Sequence, residues 1–261
     1  VIPGAAKGPG GQLKEALGVL LFLVLLVALW QLVVVALDVP AYLLPPPLDV
    51  ANAFVDSWRI LLENLLVTLE EIVLGLGAGV LLGLATAVLM HQSAVLGKAL
   101  YVPILATQTT PVVAVAPILI VWFGVGILPK VMIIAIFSFF PVLVNTLSGL
   151  QATGRQMIHL METVAASQWQ IYRHVRIPMA LPHVFAGIRL AAAASVVGAI
   201  VVEWVSSTAG LGYLLILFQS RLNVSKAFAT LIVLLLLGLL IFSLFAWIDR
   251  RFSWQRRLGI E

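Results

Sequence analysis

From Leu17 to Leu37 the chain carries no charged side chain. A helix crosses the hydrocarbon core of a bilayer with about 20 predominantly apolar residues, so this run is long enough to span. The same reading recurs at Leu65–Met90, Tyr101–Phe123, Val131–Leu150, Val184–Val205 and Phe228–Ile248. Charged residues make up 10% of the 261, where a soluble domain carries roughly a quarter. The expected fold class is therefore an all-α membrane protein with about six transmembrane helices. No length remains for a soluble domain beside them.

The stretch "LLPPPLDV" (43–50) cannot continue the first helix, because its three prolines lack amide donors and fix their own dihedrals. It predicts an extended link followed by a short amphipathic stretch over 51–62. In "GLGAGVLLG", Gly75, Gly79 and Gly83 recur four apart, a spacing that lets helix backbones approach closely in lipid. "AAAAS" (191–195) reads as the same device. A cleaved signal peptide is not expected, since Leu17–Leu37 exceeds a typical apolar signal region and no small-x-small site follows. Cysteine is absent, which excludes disulfides and thiolate metal sites.

Basic residues orient such a bundle, being enriched on its cytoplasmic side. With the N-terminus in the cytoplasm, Lys7, Lys14, Lys98, Arg155, Arg173, Arg176, Arg189, Arg250, Arg251, Arg256 and Arg257 fall on that side. Arg59, Lys130, Arg221 and Lys226 fall on the other. Both termini are then expected to be cytoplasmic. Residues 1–16 and 251–261 form tails around a transmembrane domain over 17–250.

The longest connection on the cytoplasmic side runs over 151–183. Ile158, Met161, Val164, Ala165, Trp169 and Tyr172 recur there at roughly helical spacing with charged residues between. Two short helices meeting near Ala166 and Ser167 fit this pattern, with helix expected to stop at Pro178 and Pro182. "YRHVRIPMALPHVF" (172–185) then gives a stiff, basic, proline-rich exit. Periodicity alone leaves two uses open: a lever to a soluble partner, or a helix lying on the membrane.

These residues resemble a family. The chain is similar to the permease subunit of a bacterial ATP-driven importer that works with a separate binding protein. That family's loop reads EAA, three residues, Gly, nine residues, I-x-L-P. Anchored on Val175-Arg176-Ile177-Pro178, the register puts Ala165 at the glycine position and His159-Leu160-Met161 at EAA. Glu162 is not the family's glutamate in this register. "PVVAVAPILIVWFGVG" (111–126) resembles the P-x-x-A-x-x-P-L-x-x-x-W-F-G-x-G of the nitrate, sulfonate, taurine and vitamin-precursor branch. "EWVSSTAGLGYLL" (203–215) and "TLEEIVLGL" (68–76) resemble the permeases for riboflavin and for pyrimidine precursors of thiamine. Sulfonate and taurine permeases usually carry arginine in place of Glu71.

The resemblance implies a type I ABC importer permease fold in a bacterial inner membrane. It implies that this chain catalyses no reaction, and that a second permease copy, expected as a homodimer, completes the pathway. An ABC ATPase dimer would bind ATP and Mg, with no cofactor on this chain, and an external substrate-binding protein would deliver the solute. Membrane lipid is the remaining partner; no nucleic acid is expected. The residues implied in ATPase coupling are His159, Glu162, Ala165, Ser167, Trp169, Tyr172, Arg173, Arg176 and Pro178. The expected cargo is riboflavin or a related vitamin or pyrimidine precursor, with taurine, sulfonate or nitrate as the alternative.

Motifs for chemistry are scarce. "GKAL" (97–100) lacks the earlier glycine and the Ser or Thr of a nucleotide-binding loop, so the ATPase is expected on another chain. His91, His159, His174 and His183 have no ligand spacing for a metal. Glu70, Glu71 and Glu203 lie in or at the ends of spans, where an ionised group costs about 2.5–3.5 kcal/mol or more at a helix centre. Pairing with an arginine such as Arg221, or an interfacial position, is one expectation for Glu203; a place in the outer gate or substrate path beside Trp204 is the other. Gln108, Thr109, Thr110, Ser138, Asn145 and Ser195 are further pathway candidates, with helix packing as their alternative use. Pro111 and Pro117 are expected to interrupt the third span. An ion-coupled secondary transporter using Glu70 or Glu71 as a relay is the reading from a different class. An intramembrane enzyme would need a catalytic motif such as HExxH or GxSxG, and none occurs.

Overall fold

The computed structural model describes residues 9–109 and 111–251. Every regular element among them is helical: α1 (Pro9–Ala36), α2 (Pro47–Gln92), α3 (Ala94–Thr109), α4 (Val112–Phe123) and α5 (Ile127–Gln151). Then come α6 (Arg155–Thr163), α7 (Gln168–Ile171), a π-helical turn (Tyr172–Arg176), α8 (Ile177–Ser206), α9 (Leu211–Ser220) and α10 (Val224–Arg251). Among the described residues, five helical stretches are long and apolar enough to cross a membrane: Leu17–Ala36, Pro47–Gln92, Ile127–Gln151, Gln168–Ser206 and Val224–Asp249.

Three expectations need correction. The proline-rich link does not end in a separate short helix. Pro47 opens α2, where a missing amide costs nothing in the first turn, and one helix of 46 residues absorbs both the amphipathic stretch and the second span. The expected third span is two shorter helices. Extended Pro111 (φ −62°, ψ 105°) separates α3 from α4, whereas Pro117 sits inside α4. Pro178 and Pro182 do not stop the chain either. Pro178 occupies the first turn of α8, after the π turn has shifted the ladder so that the Ile177 amide bonds to the Tyr172 carbonyl.

The chain forms two compact units. In the smaller (9–59 and 215–231), α1 displays Leu20, Phe22, Leu25 and Leu32 outward, each at least half exposed. Within this unit Trp30 packs against Phe228 at 5.8 Å between ring centroids. The larger unit (60–214 and 232–251) holds the core of Ile72, Leu76, Ile134, Val142, Ala191, Ala192, Val196, Leu234, Leu237 and Ile241.

Small residues set the close packing of the larger unit. Along α2, a Cβ on Gly79 would lie 2.6 Å from Ser138 Cβ, and one on Gly83 would lie 2.9 Å from the Phe139 carbonyl. Gly75 is closed by Ile134 in the same way. The pairs advance together along both chains, so α2 and α5 run parallel. The packing role expected for this glycine ridge is what the structure shows. Between α5 and α8 the order reverses: Gly149 meets Ala180 and His183, Gly187 meets Asn145 and Pro141, and Gly198 meets Phe137. These two helices are antiparallel, with Ala191 and Ala192 fully buried in the bundle.

The arrangement gives the larger unit two ends. At one, α5 finishes and the α6–α7 loop begins, beside the last turn of α2. At the other, α5 begins and α8 finishes, beside the middle of α2.

Candidate functional site

At the loop end, α6 and α7 meet in a turn over 164–167, where the spacing of the sequence placed it. Ala165 adopts φ +54°, a left-handed conformation that glycine takes freely and alanine at a cost. Ser167 starts α7 with a reciprocal cap: its hydroxyl accepts from the Gln170 amide, and the Gln170 side chain accepts from the Ser167 amide at 2.7 Å. One face of the loop stays exposed and apolar, with Leu160, Val164 and Trp169 each 60–69% accessible. On its polar face His159 Nδ1 and Glu162 Oε2 are 3.0 Å apart.

Beyond the cap, the helix leans on the end of α2. The Arg176 guanidinium sits against His91 Nε2. Tyr172 stacks with Trp169 at 6.5 Å and 14°, and lies 6.2 Å from the His91 ring. Arg173 is exposed and Pro178 half-buried. The structure therefore brings Trp169, Tyr172 and Arg176 together. It leaves His159, Glu162, Ala165 and Arg173 on the outer surface of the loop. His91 was not among the sequence candidates; a histidine closing a long helix gave no spacing to single it out.

The opposite end holds a polar cluster inside apolar walls. Glu71 and Glu203 are 2% and 1% exposed. Lys130, in the first turn of α5, donates from Nζ to Glu71 Oε1 at 2.6 Å and to Ser207 Oγ at 2.6 Å. Thr68 donates to Glu203 Oε1 at 2.7 Å and accepts from the Leu211 amide at 2.8 Å. The Gly212 amide donates to Glu203 Oε2, and the Gly210 amide to Asn64 Oδ1 at 2.7 Å. Gly210 turns at φ +112°, and a Cβ there would be driven into the Glu203 carboxylate. The segment Ser207–Gly212 thus folds over Glu203 because two glycines allow the backbone to reach it.

This corrects the expectation of an arginine partner for Glu203: a hydroxyl and a backbone amide hold it instead. Lys130 pairs with the neighbouring Glu71. Beside the cluster a cavity of about 380 Å³ is lined by Glu70, Glu71, Val125, Gly126, Lys130 and Thr208. Trp204 is half exposed. Sequence reasoning missed Lys130, Thr68 and Asn64. The one available signal was that a carboxylate at membrane depth needs a partner, and Lys130 opens an adjacent span.

The remaining pathway candidates divide. Ser138 and Ser195 are fully buried and return their hydroxyls to their own helices, at Ile134 O (2.9 Å) and Ala192 O (2.8 Å). Asn145 does likewise to Pro141 O at 2.8 Å. All three thus turn a polar group back to their own helices, the packing use that stood as their alternative. The side chains of Gln108 and Thr109, and all of Thr110, lie outside the described residues. A crevice of about 700 Å³ beside α3 and α5 is lined by Lys98, Tyr101, Ile104, Phe140, Leu147 and Gln151.

Comparison with known proteins agrees with this architecture. Residues 79–254 match the family model described as "Binding-protein-dependent transport system inner membrane component". The formylaminopyrimidine transport permease of Halalkalibacterium halodurans is 35% identical over 88% of this chain and 92% of its own length. The riboflavin transport system permease of Chloroflexus aurantiacus is 34% identical over 90% of this chain and 88% of its own. The fold also matches the crystal structure of an amino acid ABC transporter, with a TM-score of 0.60 and 21% identity. That match covers 76% of this chain and 96% of the other. The chain thus shares its sequence with transport subunits that are not themselves enzymes. The chain belongs to the binding-protein-dependent inner membrane transport family, as the multi-pass permease subunit of an ABC importer.

Proposed function

We propose that this permease imports riboflavin or a related vitamin or pyrimidine precursor. The observation that carries the reading is the cluster around Glu203. Glu203 with the Gly210 and Gly212 that close over it, and Glu71 bonded to Lys130 beside them, are the residues through which the sequence resembles the riboflavin and pyrimidine-precursor permeases. The relatives named for those solutes support the same choice. Taurine, sulfonate or nitrate is the second reading, carried by the shared block over 111–126. Family membership leaves the ion-coupled alternative without support.

In this reading the loop end faces the cytoplasm, in line with its basic residues. The α6–α7 face of Leu160, Val164 and Trp169 docks on the ATPase, where ATP and Mg bind. His159, Glu162, Ala165, Ser167, Tyr172, Arg173, Arg176 and Pro178 shape or flank that surface. The opposite end receives the external binding protein, and Glu203 with Trp204 closes the outer part of the route. Gln108, Thr109 and Thr110, next to the break at Pro111, remain pathway candidates, since broken helices line transport routes. A second identical copy completes the path.

Uptake into proteoliposomes holding the permease, its ATPase and its binding protein tests the substrate. ATP-dependent accumulation of labelled riboflavin or formylaminopyrimidine, but not of taurine, is the expected result. Accumulation of taurine alone would replace it with the second reading.

A further inference from the structure

A separate pocket of about 360 Å³ opens where the end of α2 meets the helix leaving the loop. Its walls are His91 and Gln92, Gln168 and Trp169, and Tyr172 and Arg176. Arginine presents five N–H donors in a rigid fork. Here only Nη1 faces His91 Nε2; a guanidinium stays protonated, so the imidazole nitrogen is the acceptor. The Tyr172 hydroxyl is buried with no hydrogen-bond partner. Gln92 and Gln168 add amide donors at the rim. Among the described residues, no aspartate or glutamate lines the pocket.

The walls thus offer a cation, several unspent donors and stacked aromatic faces. That inventory matches a planar anion held fork to fork, as arginine holds a carboxylate. The pocket is also continuous with the exposed Trp169, whose neighbours along the loop, Val164 and Leu160, are exposed as well. An exposed apolar strip of that kind marks a contact surface for a protein or a membrane, and a donor-rich socket beside it suits a protein side chain. Arginine, tryptophan and tyrosine, which meet here, are the residue types enriched among the energetic anchors of interfaces.

We propose that this pocket is the socket for one acidic side chain, an aspartate or glutamate presented by the ATPase subunit. The proposal rests on the docking reading above and adds to it the chemistry of the contact. The π turn contributes by shifting the helical register between Tyr172 and Ile177, an irregularity that recurs at functional sites.

The test uses the assembled complex. Arg176→Lys places a primary amine in the socket, and a water-soluble carbodiimide then joins that amine to any carboxylate touching it. The expected result is a new cross-linked peptide between position 176 and one acidic residue of the ATPase, absent from the wild-type complex. Gln168→Lys, on the same pocket wall, carries the test if Arg176→Lys fails to assemble. Arg176→Ala should weaken ATPase binding at least about thirtyfold, as expected for removing one partner of a buried charge pair.

The proposal is overturned if both lysine variants assemble without that cross-link. Coupling only to the carboxyl of phosphatidylserine, or to an acid of this chain, overturns it too, as does Arg176→Ala binding within threefold of wild type. If the wild-type chain retains no ATPase at all, the docking reading itself falls, which is a separate outcome.

Discussion

The ammonium of Lys130 lies 2.6 Å from the Glu71 carboxylate, and both groups are almost wholly removed from solvent. They come from α5 and α2, which run parallel and are held close by the glycines one to three turns further on. The pair therefore sits where the two backbones can separate least. Because a buried ion pair loses much of its Coulomb gain to desolvation, its value lies in fixing position more than in adding stability.

Lys130→Met alone should lower stability by roughly 3–5 kcal/mol, since it strands a buried carboxylate. Lys130→Met combined with Glu71→Leu should recover most of that loss. Thermal unfolding of the detergent-solubilised protein measures both. Equal destabilisation by the single and double variants would show that the two groups are not coupled.

Gly210→Ala and Gly77→Ala should act in opposite directions. Alanine at 210 takes an unfavourable positive φ and displaces the Glu203 carboxylate, costing about 1–2 kcal/mol for the backbone alone. Gly77 has nothing within 4 Å of its would-be Cβ, so alanine there gains helix propensity of up to about 1 kcal/mol. Melting temperatures of the two variants, compared in one detergent, show the sign of each.

Gly79→Ala should cost about 1–3 kcal/mol, the range for overpacking a close contact. Its Cβ would lie 2.8 Å from the Ala135 carbonyl, and a backbone atom cannot step aside as a flexible side chain can. Cysteine pairs introduced across α2 and α5 should cross-link more slowly in this variant.

Ala165→Gly should stabilise the α6–α7 turn by up to about 1 kcal/mol, because φ +54° carries no penalty for glycine. ATPase binding should be unchanged or tighter. Hydrogen exchange across 160–170 reads the first effect and co-purification the second. Faster exchange after the substitution would mean that the alanine is favoured there for another reason.

That turn was legible before any coordinates, because counting back from Ile177-Pro178 marks residue 165 as a glycine position. The Gly75, Gly79 and Gly83 ridge was legible too, since a helical repeat of small residues has few uses in lipid. What escaped were features that depend on distant parts of the chain. Glu71 and Lys130 are 59 positions apart, so neither residue advertises the other. Pro178 reads locally as a helix breaker, yet a first helical turn has no need of the amide it lacks, and Pro182 is carried inside α8 without ending it. Ser138, Ser195 and Asn145 looked like lining because polarity in a span invites that reading. A hydroxyl or amide folded back on its own helix satisfies the same polarity, as at all three positions here.

From Gln168 to Ser206 the backbone is one uninterrupted helical rod. Arg176 stands near one end and Glu203 near the other, about 40 Å apart at 1.5 Å per residue. Force applied at the first is therefore delivered to the second through peptide geometry, without relay by loops or loose side chains. A tilt of 5° about the arginine end would carry the carboxylate end sideways by about 3.5 Å over that length. That is more than the hydrogen bonds around Glu203 can stretch, so a small tilt applied at the loop end of this rod is enough to break them at the other.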